Sequence, residues 1–160
     1  MANSKIKDPL KLKGIITNLK KSGKTIVFTN GCFDIVHAGH VRYLIQAKQK
    51  GDILIAAINS DSSTRAIKGK TRPLAPQEDR IEVIAGLECV DYVTVFNEST
   101  PLNLIKRLKP DILVKGGNWK KKQVVGKSFV EACGGKVIII PFLKGRSTTG
   151  IIKTIIARHK

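Results

Sequence analysis

The stretch Lys24-Thr25-Ile26-Val27-Phe28-Thr29-Asn30-Gly31-Cys32-Phe33-Asp34-Ile35-Val36-His37-Ala38-Gly39-His40 decides how the rest of the chain is read. Lys24 to Thr29 is predicted to be a strand. Its run of Ile26, Val27 and Phe28 leaves no solvent-facing position, as expected of a strand covered on both faces. A glycine-bearing turn follows, then a predicted helix from Ala38 to Lys50 that stops at Gly51. A buried strand emptying through a turn into a helix is the opening unit of a parallel α/β sheet. The turn also has chemistry. Free backbone N–H groups and the dipole at a helix start attract anions. His37 and His40 lie three residues apart beside it, able to aim ring N–H donors at one phosphate. The same dipole disfavours added positive charge, so both imidazoles are expected to be neutral donors at rest.

The alternation continues outward in both directions. Asp8-Pro9 is a cap followed by a first-turn proline, predicting a helix that ends near Gly23 with Leu10, Ile15, Ile16 and Leu19 on one face. The helix after the first strand should turn Val41, Leu44, Ile45 and Ala47 inward. Asp52 to Ile58 is a second strand, apolar on both sides. After a polar loop, Pro76 opens a helix carrying Ile81, Val83, Ile84 and Leu87. Val90 to Phe96, Asp111 to Val114 and Lys136 to Phe142 are the remaining strands. Helices are predicted over Pro101 to Leu108, Ser128 to Ala132 and Thr148 to Arg158. With right-handed crossovers, this order predicts a Rossmann-like doubly wound parallel five-stranded sheet with helices on both faces. Residues 1–160 read as one domain, in which 1–23 form a helical extension and 24–160 the core. Ligands of such sheets bind at the carboxyl ends of the strands.

Composition narrows the function. A chain of 160 residues with 42% hydrophobic content can bury roughly 70% of its unfolded surface in one core. No apolar run approaches the ~20 residues of a membrane helix, and the N-terminus has no apolar export segment; a cytoplasmic location without membrane attachment is expected. Three cysteines without a CxxC pair exclude a disulfide scaffold. Cys32 beside the histidines lacks further local ligands, so no protein metal site is expected. Twenty-nine Lys and Arg against twelve Asp and Glu give a net charge of +17, a field that attracts polyanions. One Trp, two Tyr and five Phe are too few for an obvious base-stacking platform. The excess charge therefore reads as a solvated basic surface rather than a nucleic-acid face, with anionic membrane and phosphorylated small molecules the other polyanions such a field attracts.

Other polar clusters fit that view. Gly145-Arg146-Ser147-Thr148-Thr149-Gly150 places hydroxyls at a helix start, where they either cap the helix or hold a phosphate. Lys68-Gly69-Lys70-Thr71-Arg72-Pro73-Leu74 is a cationic loop beyond the second strand. Arg80 has a structural reading as an ion pair in its helix.

Gly31, Phe33, Asp34, His37, Gly39 and His40 together resemble the GxFDxxHxGH signature of the cytidylyltransferase-like nucleotidyltransferases. The resemblance implies that His37 and His40 bind nucleotide phosphates and stabilise the transition state. Thr29 and the backbone of Asn30, Gly31, Cys32 and Phe33 would hold the triphosphate. Asp34 is either a ligand or a cap for the turn. Gly145 to Ile152 resembles the family's G-x-S-T-T-x-I-I, which implies that Ser147, Thr148 and Thr149 contact phosphate or ribose. Lys68 and Arg72 become mobile clamps, and Asn59, Asp61 and Arg80 join the binding set.

Val114-Lys115-Gly116-Gly117-Asn118-Trp119 is similar to the Val-Lys-Gly-Gly-Asp-Tyr/Trp segment of the ADP-heptose synthase branch, with Asn118 in place of Asp. The likeness runs from Lys24 to Ile156. It implies adenylyl transfer from ATP, accompanied by Mg²⁺, to D-glycero-β-D-manno-heptose 1-phosphate, giving ADP-heptose and pyrophosphate for lipopolysaccharide or another surface glycan. It also implies a separate sugar kinase upstream and a homodimer or higher homo-oligomer. Three rivals stand beside it. One is a glycerol-3-phosphate-type cytidylyltransferase. Another is a pantetheine-phosphate adenylyltransferase, whose family has Thr where His37 stands. The last is a non-catalytic nucleotide- or nucleic-acid-binding module.

Overall fold

Five parallel strands in the order β3-β2-β1-β4-β5 form the sheet: β1 (Ile26–Gly31), β2 (Ile53–Asn59), β3 (Tyr92–Phe96), β4 (Ile112–Gly116) and β5 (Lys136–Ile140). The computed structural model describes residues 2–117, 124–141 and 143–159. The helices are α1 (Pro9–Lys21), α2 (Ala38–Lys48), α3 (Asp61–Lys68), α4 (Gln77–Ala85), α5 (Leu102–Leu108), α6 (Lys127–Ala132) and α7 (Thr148–Arg158). A short 3₁₀ turn, Ala2–Lys5, precedes them.

The strands are apolar on both faces because each face has its own core. Phe28, Ile55, Ala57, Leu113 and Val137 pack beneath Leu12 and Ile16 of α1, Leu104, Ile105 and Leu108 of α5 and Val130 of α6. Val27, Leu54, Ala56, Ile58, Val93 and Val114 pack against Tyr43, Leu44 and Ala47 of α2 and Ile84 and Ala85 of α4. Both faces of the sheet are thus covered by helices, as the sequence predicts.

Order reverses between β1 and β4, the topological switch point of such sheets. β1 stays in register with β2 from Ile26↔Ile53 to Gly31↔Ile58. Against β4 it pairs only at Val27↔Ile112 and Phe28↔Leu113. Beyond Phe28 the two strands part, and their carboxyl ends open a cleft.

At the opposite, amino-terminal edge, aspartates pin the strands. Asp52 accepts from the Thr25 N–H at 2.8 Å, Asp111 from the Ile26 N–H at 2.8 Å and Asp91 from the Leu54 N–H at 2.6 Å. Each has a lysine beside it: Lys24 at 3.8 Å, Lys20 at 2.7 Å and Lys48 at 2.6 Å. These carboxylates satisfy strand-end donors that the ladders leave unpaired.

Several local expectations change. Residues 61–68, read as a polar loop, form α3. Its inward face carries the buried hydroxyl residues Ser63 and Thr64, so hydropathy gives no helical period. Ser60 caps it through the Ser63 N–H. Leu10, expected inward, is 69% exposed, and Leu12 takes the core position. Ile45 and Val83 are likewise exposed, while Tyr43 is buried. β1 and β2 run on into the polar Gly31 and Asn59 because ladder pairing, not hydropathy, sets their ends. The Phe142 end of the fifth strand, together with Asn118, Trp119 and Lys120 to Lys122, lies outside the described residues.

Replacing Asp91 by Ala removes an acceptor for a buried strand N–H and the partner of Lys48. It is expected to cost about 1–3 kcal/mol of stability, read as a lower urea midpoint at unchanged slope.

Candidate active site

A cleft of about 560 Å³ lies over the carboxyl ends of β1 and β4, in the size range of a small-molecule site. Its walls come from the turn after β1, the start of α2, the end of α3, the loops after β3 and β4, and the start of α7.

His37 is the N-cap of α2. Its Nδ1 accepts the Gly39 N–H at 3.1 Å, which in the neutral ring places the proton on Nε2. The His40 ring stacks on it, centroids 4.0 Å apart, and Phe33 meets His40 edge-on at 5.4 Å. Phe33 adopts φ +46, a left-handed conformation costly for an aromatic residue and held here by its burial under the histidine. Gly39 is needed by contact: a Cβ there would stand 2.9 Å from the His37 ring and 3.4 Å from the Arg146 Cβ. Burial lowers the pKa of His40 to about 4, the His37 charge adds to the shift, and the Ile35 carbonyl opposes it. Burial also lowers that of His37, with Arg146 acting the same way. Both rings are neutral near pH 7, as expected, but desolvation is the main cause where the sequence pointed to the helix dipole.

Asp34 is the clasp of the cationic loop. One carboxylate oxygen takes the Arg72 Nε at 2.5 Å, and the other takes the Leu74 and Ala75 N–H groups at 2.8 and 2.9 Å. Of its two sequence readings, the structural one describes its bonds. Arg80 is only 1% exposed, and its fork joins four segments. Nε donates to the Ala75 carbonyl, Nη1 to the Cys32 and Asn59 carbonyls at 2.5 and 2.9 Å, and Nη2 to Asp61 at 2.7 Å. The ion pair joins α4 to α3 rather than lying within one helix.

Between the parting strands, the Tyr43 hydroxyl bonds Thr29 Oγ1 at 2.5 Å and the Val114 carbonyl at 3.2 Å. Thr29 is fully buried. Its expected contact with triphosphate is therefore corrected: its hydroxyl closes the gap beneath the cleft. Above it, Lys115 Nζ reaches Asn30 Oδ1 at 3.1 Å and the Asn30 carbonyl at 3.5 Å. On the far wall Ser147 caps α7 through the Gly150 N–H at 3.0 Å, and Thr148 Oγ1 donates to the Ile35 carbonyl at 3.4 Å. That bond ties the α7 start to the histidine turn.

Of the residues selected from the sequence, His37, His40, Lys68, Arg72, Asn30, Gly31, Cys32, Phe33, Asp34, Gly39, Asn59, Lys115, Gly116, Ser147, Thr148 and Thr149 line this cleft. Asp61, Arg80, Thr29 and Gly117 do not, the first three for the reasons given. Asn118 and Trp119 lie outside the described residues. The sequence reading missed Tyr43 and Arg146, and also the Ser99-Thr100-Pro101 loop and Val124-Val125. Tyr43 could have been found as the residue three beyond His40, on the same helix face. The loop after β3 carries no signal in one sequence.

A parallel 3-2-1-4-5 sheet with a histidine pair and a hydroxyl-bearing helix start across its switch point defines a Rossmann-like nucleotidyltransferase. The family described as cytidylyltransferase-like matches residues 28–153, and the chain belongs to it. The bifunctional protein HldE of Geobacter metallireducens is 52% identical over 158 residues, 99% of this chain and 32% of that protein. The HldE of Syntrophotalea carbinolica is 49% identical over 158 residues, again 99% and 32%. The chain thus spans about a third of the length of the curated relatives it matches. A crystal structure of the lipopolysaccharide core biosynthesis protein of Thermoplasma volcanium is 31% identical, covering 78% of this chain and all of that one, with TM-score 0.64. The pantoate-β-alanine ligase of Francisella tularensis, 21% identical at TM-score 0.65 over 97% of this chain and 79% of its own, shares the fold.

The histidines generate a pH prediction. The unfolded chain protonates them as pH falls past about 6.5, whereas folded His40 resists until about 4. Stability is therefore lost on acidification across that window. Melting temperature is expected to fall between about pH 7 and pH 5, and His40→Gln should flatten the fall.

Proposed function

We propose that this nucleotidyltransferase transfers an adenylyl group from ATP to a sugar 1-phosphate, D-glycero-β-D-manno-heptose 1-phosphate being the acceptor favoured. The observation that carries adenylyl or other nucleotidyl transfer is the neutral His37–His40 stack facing the Ser147–Thr149 helix start across one cleft. The sugar rests on the likeness to the HldE proteins and to the lipopolysaccharide core biosynthesis protein, together with Lys115-Gly116-Gly117.

In this reading an acceptor phosphate oxygen attacks the α-phosphorus of ATP in line. The new O–Pα bond forms as the bridge to the β-phosphate breaks, and the electron pair leaves with pyrophosphate. The acceptor is already an anion at neutral pH, so no protein base is needed. The barrier lies in anion repulsion and charge build-up, which preorganised donors offset. His37 and His40 donate to the α- and β-phosphates without losing a proton. The Ser147–Thr149 amides and hydroxyls hold the opposite side, Lys68 closes over the top, and Arg72, held by Asp34, stands at the anchored end of the loop. Asp34, Arg80 and Tyr43 act through others as positioning residues.

Mg²⁺ would arrive with ATP and screen its phosphate oxygens. The Asp34 carboxylate is committed to Arg72 and the loop amides, and no group of three or more His, Cys, Asp or Glu among the described residues could hold a metal. We infer that the nucleotide's own oxygens would hold the ion. A cytoplasmic location, a homo-oligomer and a kinase that supplies the sugar 1-phosphate complete the proposal. No described helix is long and apolar enough to cross a membrane.

Pyrophosphate release across sugar 1-phosphates, each offered ATP, CTP and GTP, tests the reading. Turnover is expected with ATP and the heptose phosphate; turnover only with CTP and glycerol 3-phosphate would transfer the protein to the rival branch. His40→Ala should lower kcat about 10²–10³-fold, and a folded variant keeping more than a third of wild-type activity would remove the histidine from the mechanism.

A further inference from the structure

Strand geometry divides the cleft into two lobes. Successive residues of a strand face opposite sides of the sheet. Thr29 and Val114 meet Tyr43 on the α2 side. Phe28 and Leu113 belong to the core beneath α1, α5 and α6. Asn30 and Lys115, two residues further along each strand, therefore project toward the α5/α6 side, away from the histidines.

Lys115 is a half-buried cation whose charge has no counter-ion. Its hydrogen bonds go to two neutral oxygens of Asn30, and no carboxylate pairs with it among the described residues. Burial disfavours its charge, and Lys68 acts in the same direction against the opposing influence of the Cys32 thiol. Charges withdrawn from water are ordinarily paired. An ammonium held by neutral groups at the floor of a cleft is one anion short of that rule. The loop between β3 and α5 forms the adjoining wall, where the exposed hydroxyls of Ser99 and Thr100 make no hydrogen bond to other described residues.

We propose that this α5/α6-side lobe is the acceptor subsite: Lys115, steadied by Asn30, binds the phosphate of the sugar 1-phosphate, and Ser99 and Thr100 bind hydroxyls of its sugar. The inference rests on the adenylyl-transfer reading and extends it to residues that reading left without a role. The nucleotide phosphates occupy the histidine lobe, so the two anions approach from opposite sides of the switch point. Lys115 supplies the charge that offsets their repulsion where the strands part. The hydroxyl pair gives the lobe a preference for polyhydroxylated acceptors over glycerol 3-phosphate or phosphopantetheine.

Steady-state kinetics with ATP and D-glycero-β-D-manno-heptose 1-phosphate test this on the full chain. Lys115→Met is expected to raise KM for the sugar phosphate about tenfold or more, the loss of a charge-assisted contact, with KM for ATP changed less than twofold. Lys115→Arg should recover part of the loss. Ser99→Ala with Thr100→Ala, on an exposed loop that leaves the fold intact, should raise the sugar-phosphate KM about fivefold or more and narrow discrimination against glycerol 3-phosphate. A rise in KM for ATP alone in either variant would overturn the proposal. If Lys115→Met fails to fold, the loop variant decides. Wild-type protein that releases no pyrophosphate with any sugar phosphate overturns adenylyl transfer instead. Calorimetric titration with the same sugar 1-phosphate then decides the subsite: binding weakened by Lys115→Met supports it, and binding unchanged by it, or no binding to wild type, refutes it.

Discussion

Two neighbouring strands that share only two residue pairs must part, and the gap between β1 and β4 organises everything above it. Crossovers leave the sheet in opposite directions from these strands, so no connection fills the space at their carboxyl ends. The chain closes the bottom of the gap with the Tyr43–Thr29–Val114 bonds and its top with Lys115 on Asn30. What remains is a cleft lined by strand ends, loops and helix starts, where backbone donors point outward. Without the parting, the histidine turn and the α7 start would have no common space to face.

Charge is sorted along the same axis. Asp52, Asp91 and Asp111 sit at the amino edge, where they accept strand N–H groups and balance lysines. Near the carboxyl edge, Asp34 and Asp61 are each tied to an arginine. Lys68, Lys115 and Arg146 therefore face the cleft without carboxylate competition among the described residues. A strongly basic chain gains a focused field from this arrangement, because low-dielectric walls concentrate the potential of cations that are not locally neutralised.

Positioning is distributed differently from binding. Arg80 is only 1% exposed, yet its planar fork fixes the ends of β1 and β2, the cationic loop and α3 at once. A lysine has one point of attachment and could not span these acceptors. Asp34 likewise turns a mobile-looking basic segment into a loop anchored at one end. Both residues stand in or near the family's signature, and both act by holding other groups.

The sequence by itself determined the alternation of strands and helices, the parallel sheet, the histidine turn and the hydroxyl cluster at the last helix. Those features are local: apolar runs, caps and turn residues act within a few positions of the chain. It misread α3, because a helix packed through Ser63 and Thr64 has no hydrophobic period. It also turned Leu10 and Ile45 the wrong way, because neighbouring apolar positions compete for one core face and only packing chooses between them. Tertiary structure alone decided that Thr29 is buried, that Asp34 clasps Arg72, that Arg80 is a hub, and that Ser99, Thr100 and Lys115 line one cleft. Each of these depends on residues far apart in sequence brought together where β1 and β4 diverge, and pairwise distance across a fold is not written in any single segment.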